Sequence, residues 1–166
     1  MKNLIRKLLT FTLCALFLFG CAGPQVSQYA NEKPTLDLSE YFNGTIDAYG
    51  IFTNRSGEVV KRFTVLMQAN WKMVDGKKVG TLDESFEYSD GTKQKRIWVI
   101  TEVSPGKYIG RADDVVGNAN GVAAGNALNW AYTLALPVDG TIYHVQFDDW
   151  MYLMNSKVII NKAKMS

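Results

Sequence analysis

Leu128-Asn129-Trp130-Ala131-Tyr132-Thr133-Leu134-Ala135-Leu136 alternates without a break. Leu128, Trp130, Tyr132, Leu134 and Leu136 fall on one face, and Asn129, Ala131, Thr133 and Ala135 on the other. A period of two marks a half-buried strand. Asp139-Gly140 follows, a dipeptide suited to the positive φ angles of a type I′ hairpin turn. The chain then runs from Thr141 to Met154 with no Gly or Pro. A two-residue turn pairs Leu136 with Tyr143. Counting back places Tyr132 opposite Phe147 and Trp130 opposite Asp149.

The same pattern extends in both directions. Leu36 to Phe42 reads as one or two helical turns, and Gly44 opens a strand over Thr45 to Phe52. Past the Asn54-Arg55-Ser56-Gly57 turn, Glu58 to Trp71 sets Val59, Phe63, Val65, Met67, Ala69 and Trp71 on one face. Asp75-Gly76 turns the chain into Thr81 to Tyr88, Ser89-Asp90-Gly91 into Lys93 to Thr101, and Pro105-Gly106 into Lys107 to Val116. Gly117, Gly121 and Gly125 are spaced by four, but Asn118, Asn120 and Asn126 make the segment too polar for a helix-dimer motif. It reads as loop plus a kinked strand start. Asn155-Ser156 leads to a last strand over Val158 to Ala163. Hairpin spacing throughout implies an antiparallel meander. Two strands of about 14 residues are long for a sandwich and natural for a closed sheet. The expected fold is all-β: an antiparallel, up-and-down, lipocalin-like barrel of about 8–10 strands over residues 36–166.

Residues 1–20 read as a signal peptide, with a signal helix ahead of the barrel. Lys2, Arg6 and Lys7 precede an apolar run from Leu8 to Phe19, too short to span a bilayer core that needs roughly 20 helical residues. Leu18-Phe19-Gly20-Cys21 resembles the bacterial lipobox, with Phe19 where a smaller residue is usual. That likeness makes Cys21 the first mature residue and the site of acylation, and an ordinary secretory signal cut near Ala22 is the alternative. Ala22 stands where an Asp would signal inner-membrane retention, so the expected place is the outer membrane, with the domain in the periplasm and attached through its lipid. Residues 21–35, small and polar, read as the lipidated Cys and a tether.

Composition then excludes several functions. Removing residues 1–20 leaves 146, enough for one core, and lowers Lys+Arg from 18 to 15 against 16 Asp+Glu. A net charge near −1 with interspersed signs offers no basic stripe for nucleic acid. With Cys14 in the signal and Cys21 acylated, no thiol remains for a disulfide, a metal or catalysis. His144 is the sole histidine and alternates with Gln146 and Asp148 on a polar face, so it reads as solvated. Paired Asp113-Asp114 and Asp148-Asp149 cannot both face one site from a strand. Nothing implies a cofactor, and there is no nucleophile elbow, P-loop or dinucleotide loop.

What stands out is polarity on apolar faces. The Ser89-Asp90-Gly91 loop pairs Glu84 with Arg96 and Leu82 with Trp98. An even-length loop at Pro105-Gly106 pairs Trp98 with Asp113 and Ile100 with Arg111. Glu84, Arg96, Arg111, Asp113 and Asp149 are then all expected inside the barrel, among Trp98, Trp130 and Tyr132. Such charges must be paired if buried. They either fix strand register in a filled barrel or give a lumen a cationic spot for the head of an apolar anion such as a fatty acid. Trp150 and Tyr152, alternating with Met151 and Leu153, form a candidate exposed pair for a protein partner.

Phe42-Asn43-Gly44, Leu82-Asp83-Glu84-Ser85-Phe86, Ser89-Asp90-Gly91, Arg96-Ile97-Trp98, the run Gly110 to Gly117 and the run Phe147 to Tyr152 resemble a family of proteobacterial lipoproteins built on a domain of unknown function. The resemblance covers about Tyr29 to the end. It implies an outer-membrane or periplasmic lipoprotein, a further strand after the equivalent of Ser166, and a genomic setting among fatty-acid-modifying enzymes. A wider likeness to lipocalins lacks their tryptophan, since Ile46 stands in its place. The expected function is binding or handling a lipid or other small apolar ligand in a barrel lumen. The alternative is a structural or envelope-assembly lipoprotein with a filled barrel that acts through its outer surface.

Overall fold

The computed structural model describes residues 23–166, so the signal segment 1–20 and Cys21 lie outside the described residues. Nine strands form one antiparallel sheet: β1 (Gly44–Thr53), β2 (Val59–Val74), β3 (Lys77–Tyr88), β4 (Lys93–Ser104), β5 (Lys107–Arg111), β6 (Ala119–Ala124), β7 (Ala127–Val138), β8 (Thr141–Asn155) and β9 (Val158–Met165). Each strand pairs with its neighbour in sequence, and the sheet curls into a half-barrel with β1 and β9 as its edges. This is the up-and-down, lipocalin-like architecture expected from the hairpin spacing.

The alternation sets the curvature's inside. In β2, Val65, Met67 and Ala69 are buried while Thr64, Leu66, Gln68 and Asn70 are exposed. The two-residue turns at Asp75-Gly76 and Asp139-Gly140 hold all four residues at positive φ, as type I′ turns require.

Two elements depart from expectation. β5 ends at Arg111 rather than Val116, and the glycine-rich segment contains a strand of its own, β6. Ala119, Gly121 and Ala123 are its inward residues, with too little side chain to announce a strand. Trp130 of β7 supplies the bulk, lying over Gly121 and reaching Gly110 on β5, so closely that a Cβ at either glycine would overlap the indole.

Turns at 75–76, 105–106, 125–126 and 156–157 share one end of the half-barrel, and that end is plugged. Leu36 and Leu38 are buried there. Leu36 N–H donates to the Gly125 carbonyl at 2.8 Å. The short helix α1 (Leu38–Tyr41) is capped by Asp37, which accepts from Ser39 N–H at 2.7 Å and pairs with Lys78 at 2.9 Å. Beyond α1, Trp71 Nε1 donates to the Phe42 carbonyl at 2.8 Å, and Tyr41 Oη accepts from Ile159 N–H at 3.1 Å. The plug thus ties β2 and β3 to β9.

Residues 23–35 include a 3-10 turn, Val26–Tyr29. Tyr29 packs against Trp150 and Tyr152 on the outer face, with ring centroids 6.0 and 5.3 Å apart. Trp150 is therefore buried, not the exposed half of an aromatic pair, because the chain's own N-terminal segment covers it.

Candidate functional site

The end opposite the plug stays open, and its concave face carries the polar residues singled out from the sequence. Glu84 lies opposite Arg96 and Leu82 opposite Trp98, in the register set by the Ser89-Asp90-Gly91 loop. Tyr132 lies opposite Phe147 and Trp130 opposite Asp149, as the Asp139-Gly140 turn dictates. Glu84, Arg96, Trp98, Trp130, Tyr132 and Asp149 thus share one face.

Arg111 and Asp113 do not. The β4–β5 hairpin starts with Ser104 opposite Lys107, but a bulge between Glu102 and Ser104 shifts the register by one residue, so that Val99 faces Arg111 and Ile100 faces Gly110. Because side chains alternate, one extra residue turns Arg111 outward. It is exposed, and its Nε donates to Asn118 Oδ1 at 2.9 Å. Asp113 lies beyond the end of β5 and is exposed too.

The carboxylate that does turn inward is Asp114. After β5 the chain crosses at the open end and pairs with β7: Val115 bridges Leu134, Ala135 N–H donates to the Asp114 carbonyl at 2.8 Å, and Val116 N–H donates to the Thr133 carbonyl at 2.9 Å. So held, Asp114 accepts from Arg96 Nε at 3.0 Å on each carboxylate oxygen and from Nη2 at 2.8 Å. Gln94 Nε2 adds a longer contact at 3.4 Å, and Tyr88 Oη donates to Gln94 Oε1 at 2.7 Å. Asp114 therefore takes the guanidinium that the sequence reading left for an anionic head group.

Two carboxyls remain without a counter-ion. Among the described residues Glu84 has no ion-pair partner. Burial pushes its carboxyl up to about 7, against the pull of the Arg96 charge and the Trp98 indole. Asp149 is 8% exposed. Tyr132 Oη donates to its Oδ2 at 3.1 Å, while its Oδ1 is buried with no hydrogen-bond partner among the described residues. Burial, with Asp148 adding to it, pushes Asp149 up to about 6. Burial and the neighbouring Asp149 charge push the Tyr132 phenol up as well.

Aromatic rings line both flanks. On β1–β3, Phe52, Phe63, Phe86 and Tyr88 form a row with successive centroids 5.1 to 6.2 Å apart. On β7–β8, Tyr132 stacks on Phe147 at 4.9 Å. Trp98 meets Trp130 and Tyr132 edge-on at 5.6 and 5.3 Å and is buried with Trp130 in the core beneath. Phe63, Phe86, Tyr132 and Phe147 are only half-buried. A broad, open groove of about 600 Å³ at the β1–β3 rim touches Phe63 and Tyr88 but is bordered mostly by residues of the outward face, among them Tyr49, Arg62, Thr64 and Glu87, and does not reach Glu84 or Asp149.

Residues 15–166, nearly the whole chain, match the family described as Protein of unknown function (DUF3833). The chain belongs to this family. No curated protein and no solved structure matches it.

Proposed function

We propose that this protein is an outer-membrane lipoprotein, anchored on the periplasmic side through acylated Cys21, whose half-barrel binds or handles a lipid or other small apolar molecule on its concave face. One observation carries the binding reading. The plugged end buries its apolar residues against Leu36 and Leu38, whereas the open end leaves Phe63, Phe86, Tyr132 and Phe147 half-exposed beside buried polar groups. A concave, mostly apolar surface with a few convergent polar groups is how small-molecule sites are built. The lipobox-like Leu18-Phe19-Gly20-Cys21 supports the anchor, and more than one acyl chain suffices for stable attachment. Native mass spectrometry of the full chain, extracted in mild detergent, tests the first part: a co-purifying small molecule with an alkyl or acyl mass is expected, and a protein with none that also fails to bind added amphiphiles contradicts it. For the anchor, Cys21→Ser is expected to abolish incorporation of labelled palmitate, and equal labelling of the two forms overturns it.

A further inference from the structure

Resting on the reading that the concave face takes an apolar molecule, we infer that the head group it accepts is cationic: an ammonium on an alkyl or acyl chain, held by the carboxylates of Glu84 and Asp149 between the aromatic flanks.

The cation that an anionic head would need already has its charge offset by Asp114. Arg96 gives its Nε and Nη2 to Asp114, with its side chain only 11% exposed. What this face has left over is acceptors. Asp149 Oδ1 is buried without a donor, and Glu84 has no counter-ion among the described residues. A buried acceptor left unsatisfied is costly, and a ligand N–H removes that cost while its charge balances the carboxylates. Glu84, partly exposed, is the outer acceptor, and Asp149 the deeper one.

The flanking rings favour the same sign of charge, because cations are drawn to the faces of aromatic rings within about 6 Å. The β3 end of the row already does this with the protein's own cations: Lys61 Nζ lies 4.6 Å from the Tyr88 ring centre and Arg96 Cζ 5.6 Å from that of Phe86. Tyr132 and Phe147 have no such partner among the described residues and lie beside Asp149. Asp114 offsets the charge of Arg96, so a carboxylate head placed here meets the two uncompensated carboxyls of Glu84 and Asp149. Burial raises both carboxyls, so ionising them on this face is costly, and a neighbouring ammonium offsets that cost.

The test uses the purified full chain and four amphiphiles below their micellar concentrations: dodecylammonium, dodecanol, laurate and lysophosphatidylethanolamine. Binding is followed by calorimetry at pH 8. Dodecylammonium is expected to bind at least about tenfold more tightly than dodecanol or laurate. Glu84→Gln/Asp149→Asn is expected to erase that preference, and each single variant to reduce it should the double variant fail to fold. Lysophosphatidylethanolamine, whose ammonium lies beyond a phosphate, separates the sources: affinity matching dodecylammonium identifies a phospholipid head, and weak affinity a free amine. Binding of dodecanol, laurate and dodecylammonium alike, or tightest binding of laurate, overturns the cationic head while leaving the apolar site standing. Binding of none of the four overturns both.

Discussion

Asp114 closes a bidentate ion pair on Arg96 from a loop that skips past β6 to pair with β7. The pair joins β4 to β7 at the open end, where β5 and β6 have already ended. It spans that gap through side chains, and Gln94 and Tyr88 extend it toward β3.

Because the guanidinium is largely buried, Arg96→Leu is expected to destabilise the protein by about 3–5 kcal/mol, and Arg96→Leu/Asp114→Leu to recover most of that loss. Denaturant melts of the four forms of this cycle give the coupling energy. The same cycle run on Arg96 and Glu84 is expected to give a smaller coupling, since those two are cross-strand neighbours without an ion pair. Equal couplings would show that Arg96 divides itself between the two carboxylates.

Residue spacing disclosed the fold wherever a turn had one solution. Asp139-Gly140 and Ser89-Asp90-Gly91 set two hairpins in register, and with them Glu84 opposite Arg96 and Trp130 opposite Asp149. It misled where the backbone inserts a residue: the bulge before Ser104 leaves no mark in the sequence, yet it turned Arg111 outward and moved the inward role from Asp113 to Asp114. β6 escaped notice for another reason. Ala119, Gly121 and Ala123 are poor strand formers, and the strand depends on Trp130, a residue distant from them in sequence. The cover that Tyr29 gives Trp150 is equally non-local, and polarity alone made residues 21–35 read as a tether.

Gly121→Val tests the dependence of β6 on Trp130. An added Cβ would come within 2.5 Å of the indole. Trp130 must therefore leave its place over β5 and β6, at a cost of about 1–3 kcal/mol from overpacking. The expected outcome is a lower melting temperature together with a changed near-UV circular dichroism signal. An unchanged signal would mean that the strand tolerates the side chain by moving as a whole.

Tyr29→Ala removes the cover from Trp150 and Tyr152. The aromatic contacts are worth about 0.5–1.5 kcal/mol beyond their buried area, so the global melt should fall only slightly. The expected effects are local: red-shifted tryptophan emission and faster proteolysis before Leu36. If proteolysis is unchanged, the hydrogen bond from Leu36 N–H to Gly125 suffices to hold the segment.

The last prediction concerns the pH dependence that Glu84 builds into the fold. Its carboxyl is raised from 4.5 to about 7, chiefly by burial. The folded state thus holds this proton more tightly than the unfolded chain does. The resulting stability is complete below the ordinary carboxylate range and is lost as pH rises through 7. Asp149, raised from 3.8 to about 6, acts in the same direction over a lower window. Arg96 opposes the shift in Glu84, and Asp114 and Asp149 add to it. Tyr132 and Tyr88, both raised, stay neutral throughout this range. The wild type is therefore expected to melt several degrees lower at pH 8 than at pH 5.5. Glu84→Gln, which keeps the shape and never ionises, is expected to gain roughly 1–3 kcal/mol over the wild type at pH 8 and much less at pH 5.5. Thermal melts of both forms across this range check the sign directly. If Glu84→Gln is less stable than the wild type at pH 8, the ionised carboxylate is stabilised in the fold by Arg96, and the guanidinium is not fully committed to Asp114.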